Sequence, residues 1–209
     1  MLQIASSPAL PLRGLVVRIS LAVALVALLL PVLLQGGRAS AATGSNPIVD
    51  ENKLPGTSQW HLSKEADDTT KQIKGYASAT SVNVGQTITF FVTVKPAQSY
   101  DIDIYRIGYY QGLGGRLVQH VGALPGVQQP ACPMDAATGM ISCNRSSGYQ
   151  LTVPTTWTSG IFLAKLTNAK GFQNYVPFVV RDDGRGSDLL YQQSVSTYQA
   201  YNNYPDDVA

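Results

Sequence analysis

From Ile73 onward the chain alternates apolar and polar positions with a period of two, interrupted by glycine and polar turn residues. Ile73-Lys74-Gly75-Tyr76-Ala77 leads to Val82, and Gly85-Gln86 opens Thr87–Val94, a run rich in β-branched and aromatic residues. Tyr100–Tyr110 places Ile102 and Ile104 on one face and Asp101 and Asp103 on the other. After Gly112-Leu113-Gly114-Gly115 the pattern returns over 116–124, and three further runs follow at 149–153, 160–166 and 174–181. Seven such runs without helical periodicity between them predict antiparallel pairing, because parallel neighbours need long, usually helical crossovers. The expected fold is mainly β, an immunoglobulin- or fibronectin-like antiparallel sandwich over 73–182. Trp157 is expected to plug one end of its core, and Pro177 to mark an edge or a bulge.

The flanks read differently. Arg13 and Arg18 precede the apolar stretch Ile19–Leu34, which small residues follow at Ala39-Ser40-Ala41-Ala42. This is the pattern of a signal helix over residues 1–42, cleaved after Ala41 or Ala42, or retained as an N-terminal anchor. Pro31 and a length below the roughly 20 residues of a spanning helix favour the cleaved form. In both cases the remainder is exported, secreted or cell-surface, with membrane contact only through an uncleaved N-terminal segment. Residues 43–72 are polar and turn-rich, an extended lead-in expected to dock through Ile48, Leu54 and Trp60. Residues 183–209 open with a linker-like Asp182–Ser187 stretch. A new strand or strand–loop unit over 188–201 then begins, as if a further domain starts here and is cut short.

Composition sharpens this picture. Of 209 residues, 44% are hydrophobic and only 13% charged, with a formal net charge of +2. That excludes coiled-coil and disordered chains. Residues 1–42 hold Arg13, Arg18 and Arg38 and no acid; without them, twelve Lys and Arg face thirteen Asp and Glu. No concentrated cationic surface remains for phosphate backbones, so a nucleic-acid partner is not expected. The two cysteines, Cys132 and Cys143, bracket a polar turn-prone loop, and an even count in an exported chain predicts a disulfide.

Motifs for chemistry are sparse. HExxH, GxSxG, GxxxxGK[ST] and CxxC are all absent. Gly108–Gly115 lies between two strands and reads as a hairpin connection rather than a phosphate loop. Asp101 and Asp103 read as a solvated pair, and His61 and His120 have no nucleophile motif beside them. Asn144-Arg145-Ser146 has the form of a glycosylation sequon. Tyrosine is the unusual residue, with 11 copies. Tyr105, Tyr109 and Tyr110 cluster on the third run and are candidates for a stacking surface toward a glycan or cell-surface ligand. The competing reading divides them between core and belt.

The phrases NPIVDENKLPGTSQWHL, QIKGYASATSVNVGQTITFFV, YDIDIYRIGYYQGLGGRLV, WTSGIFLAKLT, QNYVPFVVRDD and DLLYQQSVSTYQAYNNY occur here in one order over residues 46–205. In this the chain resembles exported bacterial proteins related to the C-terminal region of the N,N-dimethylformamidase large subunit. The resemblance implies a sandwich leading into an α/β domain similar to class I glutamine amidotransferases. It also implies amide hydrolysis by a water activated on an iron held by two tyrosines and a glutamate. Thr197–Asn202 resembles the opening of that catalytic domain, which makes either Tyr201 or Tyr198 a candidate metal position. The glutamate and most of the α/β domain are expected beyond Ala209. A lone phenolate neither holds iron nor acidifies its water. The expected function is therefore an exported accessory sandwich of a formamidase-like amide hydrolase, inactive alone, with iron only in a complete homologue. Two alternatives stand beside it: a carbohydrate- or surface-binding module, and a metal-dependent amidohydrolase completed by missing residues or a partner.

Overall fold

Ile88, Phe90, Val92 and Val94 of one run and Ile102 and Ile104 of the next are each at most 3% exposed. The two-residue period of the sequence is thus a period of burial. A computed structural model describes residues 46–187, 189–202 and 204, all within one compact unit, Ser45–Ala209. The expected signal segment, residues 1–42, lies outside the described residues. The strands are β1 (Ile73–Ala77), β2 (Ser81–Asn83), β3 (Thr87–Val94), β4 (Tyr100–Ile107), β5 (Gly115–Leu124), β6 (Tyr149–Thr152), β7 (Gly160–Asn168) and β8 (Gln173–Arg181). They form a three-stranded sheet, β1-β3-β6, and a five-stranded sheet, β2-β8-β7-β4-β5.

The sheets bury their apolar faces against one another. Phe90 of the smaller sheet meets Phe178 of the larger edge-on at 5.5 Å, and Phe162 lies 5.5 Å from Phe178. Trp157 stacks on Phe162 at 5.1 Å and 7°, at the margin of the core. A Cβ on Gly75 would fall 2.8 Å from Leu166 Cδ1, so the bare glycine lets β1 lie against the larger sheet.

Several details depart from the sequence reading. The run from Ile73 to Val82 is two strands in different sheets, because the chain crosses over at Ser78-Ala79-Thr80. Every pairing is antiparallel except β2 with β8, which is parallel over Ser81–Asn83. The crossover rule constrains consecutive strands, and these two are separated by most of the domain. Pro177 lies within β8, which has neighbours on both sides. Its own position is nonetheless a local edge, since β2 reaches only Val179–Arg181 and the Val179 N–H, on the same side, donates to the Thr80 carbonyl.

The lead-in is not extended at its start. Asn46 caps a short helix, α1 (Pro47–Glu51), with its Oδ1 accepting from the Ile48 and Val49 N–H groups. Nor does it dock through Ile48 and Leu54, which are 38% and 41% exposed. Trp60 does dock: its Nε1 donates to the Leu113 carbonyl at 3.0 Å, and its ring covers Gly114 and Gly115. Beyond Trp60 the lead-in runs along β7 and β8. Lys165 Nζ donates to the Gln59 and His61 carbonyls, and Gln173 exchanges backbone bonds with Lys64 and Ala66.

At the other end, residues 195–200 form a helix, α2 (Val195–Ala200), rather than a strand. A strand needs an edge to pair with. Here the backbone closes on itself instead, Tyr198 N–H to Ser194 and Tyr201 N–H to Thr197. No helix among the described residues is long and apolar enough to cross a membrane.

Cys132 and Cys143 are joined in a disulfide, as expected. It closes a loop turned by Asp135, whose Oδ1 accepts from the Ala137 and Thr138 N–H groups. The Tyr76 hydroxyl donates to the Cys143 carbonyl and fastens this loop to β1.

Phe162 is fully buried between Trp157 and Phe178. Phe162→Ala should lower unfolding free energy by about 3–5 kcal/mol in urea titration. Leu189→Ala, at a position 89% exposed, should change it by less than about 0.5 kcal/mol.

Candidate functional site

The densest polar arrangement joins α1 to the β4–β5 hairpin. Arg106 continues the inward phase of Ile102 and Ile104 and is 3% exposed, so its guanidinium must find acceptors inside. Nε and Nη2 donate to the Thr158 and Ser159 carbonyls at 3.1 and 2.8 Å, and Nη1 donates to the Tyr110 hydroxyl at 3.0 Å. That hydroxyl in turn donates to Glu51 Oε1 at 2.7 Å. The same carboxylate oxygen accepts from Arg116, with Nε at 2.8 Å and Nη2 at 2.7 Å. Beside it, Asn52 Oδ1 accepts from the Tyr109 N–H at 2.6 Å.

Electrostatics follow from this geometry. Burial pushes the Glu51 carboxyl upward, but the bonds from Tyr110 and Arg116 and the charges of Arg116 and Arg106 outweigh it. The net pKa lies below the ordinary glutamate value. Tyr110 is raised by burial and by its bond to Glu51, and Tyr105 by burial, to about 12. Both phenols stay protonated at neutral pH, and Tyr110 donates to Glu51.

The three tyrosines read as a stacking surface do not share one. Tyr105 is 2% and Tyr110 0% exposed, and only Tyr109 faces solvent, at 70%. Tyr110 turns inward because the hairpin takes left-handed backbone at Tyr110 and Gln111 (φ 40° and 58°), which Glu51 and Arg106 hold in place. Gly108–Gly115 is the hairpin connection that the strand spacing predicts. Asp103 is less solitary than the sequence suggests: it bonds His120 Nδ1 at 2.6 Å and raises that imidazole's pKa, while Asp101 accepts from the Ala123 N–H. His61 stacks on Trp60. Tyr198 and Tyr201, at α2, are 51% and 84% exposed.

The model of the "N,N-dimethylformamidase beta subunit-like, C-terminal" family matches residues 101–207, half of the chain. The chain belongs to this family. No curated protein matches it closely enough to count as a relative. The matched region of this family member starts inside β4 and runs through α2, so the smaller sheet's β1 and β3, and the lead-in with Glu51, lie before it.

The family resemblance raises iron, and the described residues do not by themselves fit it. Neither the Tyr198 nor the Tyr201 phenol meets a carboxylate, an imidazole or any other polar partner among the described residues. No cluster of three His, Cys, Asp or Glu suited to a metal occurs among them. Tyr198 and Tyr201 are thus not brought together with a third donor.

Glu51, Arg106 and Arg116 were missed in the sequence, although an arginine on the inward phase of an apolar strand is itself a signal. Glu51→Gln should destabilise by about 3–5 kcal/mol, because it removes the carboxylate charge that faces the buried Arg106 and the half-buried Arg116. The Glu51 pKa is lower folded than unfolded, so the unfolded chain takes up the proton first as pH falls. The stability difference between wild type and Glu51→Gln should be full above the unfolded value, about 4.3, and shrink as pH drops through the folded one. Urea titrations from pH 7 to 3 check this.

Proposed function

We propose that this member of the formamidase-like family is an exported accessory β-sandwich of an amide C–N hydrolase and has no hydrolase activity by itself. The observation that carries this reading is the placement of Tyr198 and Tyr201. They stand on the tail side of the domain, exposed, on a helix that follows the last strand. The completed structural chemistry, meaning the core, the disulfide and the Glu51 network, belongs to the sandwich and its lead-in. Export is supported by the N-terminal pattern of residues 1–42 and is compatible with the disulfide. A role for Tyr201 or Tyr198 toward iron requires further donor groups beyond those described. Nucleic acid is not a fitting partner for a chain whose residues after 42 are close to neutral.

The test uses the secreted chain incubated with ferrous iron and then desalted. Metal analysis and formation of dimethylamine from N,N-dimethylformamide are measured together. The expected result is iron well below one per chain and no turnover above the iron-only blank. One bound iron per chain, with turnover abolished by Tyr201→Phe or Tyr198→Phe, would overturn the proposal.

A further inference from the structure

Arg145 follows the disulfide loop and is 6% exposed, yet it has no carboxylate partner among the described residues. Its Nη1 makes one long bond, 3.4 Å, to the Lys74 carbonyl, and Nη2 lies 3.9 Å from Cys132 Sγ and donates to the Tyr204 hydroxyl. Its Nε–H is buried without a partner. The guanidinium carbon is 5.5 Å from the centroids of both the Tyr76 and Tyr204 rings. A buried cation held only by neutral acceptors and ring faces is an incomplete arrangement, since buried charges are ordinarily paired.

Arg145 and Tyr204 together form a wall shared by two grooves. One, of about 380 Å³, is also lined by Lys71, Lys95 and Gln129, with no acidic side chain among its described lining. The other, of about 580 Å³, carries Glu65 and Asp68, with Asp68 paired to Lys74. Among the described residues, acidic side chains thus stand only on the second side of the guanidinium, which leaves the first for an anion.

We propose that the groove beside Arg145 binds a small ligand through a carboxylate, and that the Tyr204 hydroxyl occupies the position of one carboxylate oxygen in the structure described here. The unpartnered Nε and Nη2, which is engaged by the Tyr204 hydroxyl and at long range by Cys132 Sγ, are adjacent donors on one edge of the guanidinium, the fork that a planar carboxylate takes with two parallel bonds. The described lining of the groove also carries the side chains of Lys71 and Lys95. Tyr204 belongs to the tail, so occupation of the groove exchanges its hydroxyl for the ligand and loosens the tail from the sandwich at this point.

The test is an NMR titration of the full secreted chain with sodium acetate, against sodium chloride at equal ionic strength, followed at the Arg145 Nε–H and the Tyr76 and Gln129 amides. Saturable shifts at all three are expected. Tyr204→Phe, which removes the competing hydroxyl and keeps the ring, should bind acetate about threefold or more tighter, and Arg145→Lys about tenfold more weakly. The proposal is overturned if Tyr204→Phe, which leaves the core untouched, shows no saturable shift at Arg145. It is equally overturned if folded Arg145→Lys binds acetate as wild type does.

Discussion

One carboxylate, that of Glu51, constrains the end of the sandwich where the lead-in, the β4–β5 hairpin and the β6–β7 connection meet. Removing a carboxylate from water costs several kcal/mol, and the cost is offset only where donors and charge converge on it. Here Tyr110 and Arg116 both reach Oε1, and Arg106 stands behind Tyr110. Because Arg106 is also bound to the Thr158 and Ser159 carbonyls, three separate stretches of chain share one electrostatic centre. The inward turn of Tyr110, its left-handed backbone and the outward position of Tyr109 all follow from that centre. The aromatic cluster visible in the sequence is thereby divided between interior and surface.

Apolar alternation made the sandwich legible. Ile102, Ile104, Phe162, Phe178 and their neighbours needed only the period of two and turn residues at the right spacing. The disulfide was legible from cysteine count and compartment. What could not be read were interactions in which polar groups act over long sequence separation. Trp60 was recognised as a docking residue, but Glu51 and Asn52 were hidden in a polar segment whose composition resembles a loop. Their partners lie more than fifty residues away, and no local period encodes such a pairing. Ile48 and Leu54 misled for the same reason: apolar character suggested docking, whereas the docking is polar. The tail misled differently. Residues 195–200 carry no strong period, and their backbone bonds close locally, Tyr198 N–H to Ser194 and Tyr201 N–H to Thr197, as a helix.

Belonging to the formamidase-like family gives the tail its interest. The matched region ends in it, and its described residues divide into two kinds. Tyr204 is held against Arg145 of the sandwich, while Tyr198 and Tyr201 face outward a few residues before. A segment clamped at one aromatic and exposed at two others is held in place without being consumed by the core. The lead-in behaves in the opposite way. It lies before the matched region, yet it completes the domain by covering the hairpin glycines and the outward residues of β7 and β8. The structural unit is therefore larger than the half of the chain that identifies the family.

The central claim is that the lead-in is part of the domain and is held there by Glu51. Native-state amide hydrogen exchange of the Thr57, Tyr109 and Tyr110 N–H groups, compared between wild type and Glu51→Ala, tests it most directly. Protection of all three in the wild type is expected, with exchange at least about tenfold faster in Glu51→Ala while the β7 amides keep the slower exchange of the core. Unprotected Thr57 in the wild type, or unchanged exchange at all three sites in the variant, would contradict it.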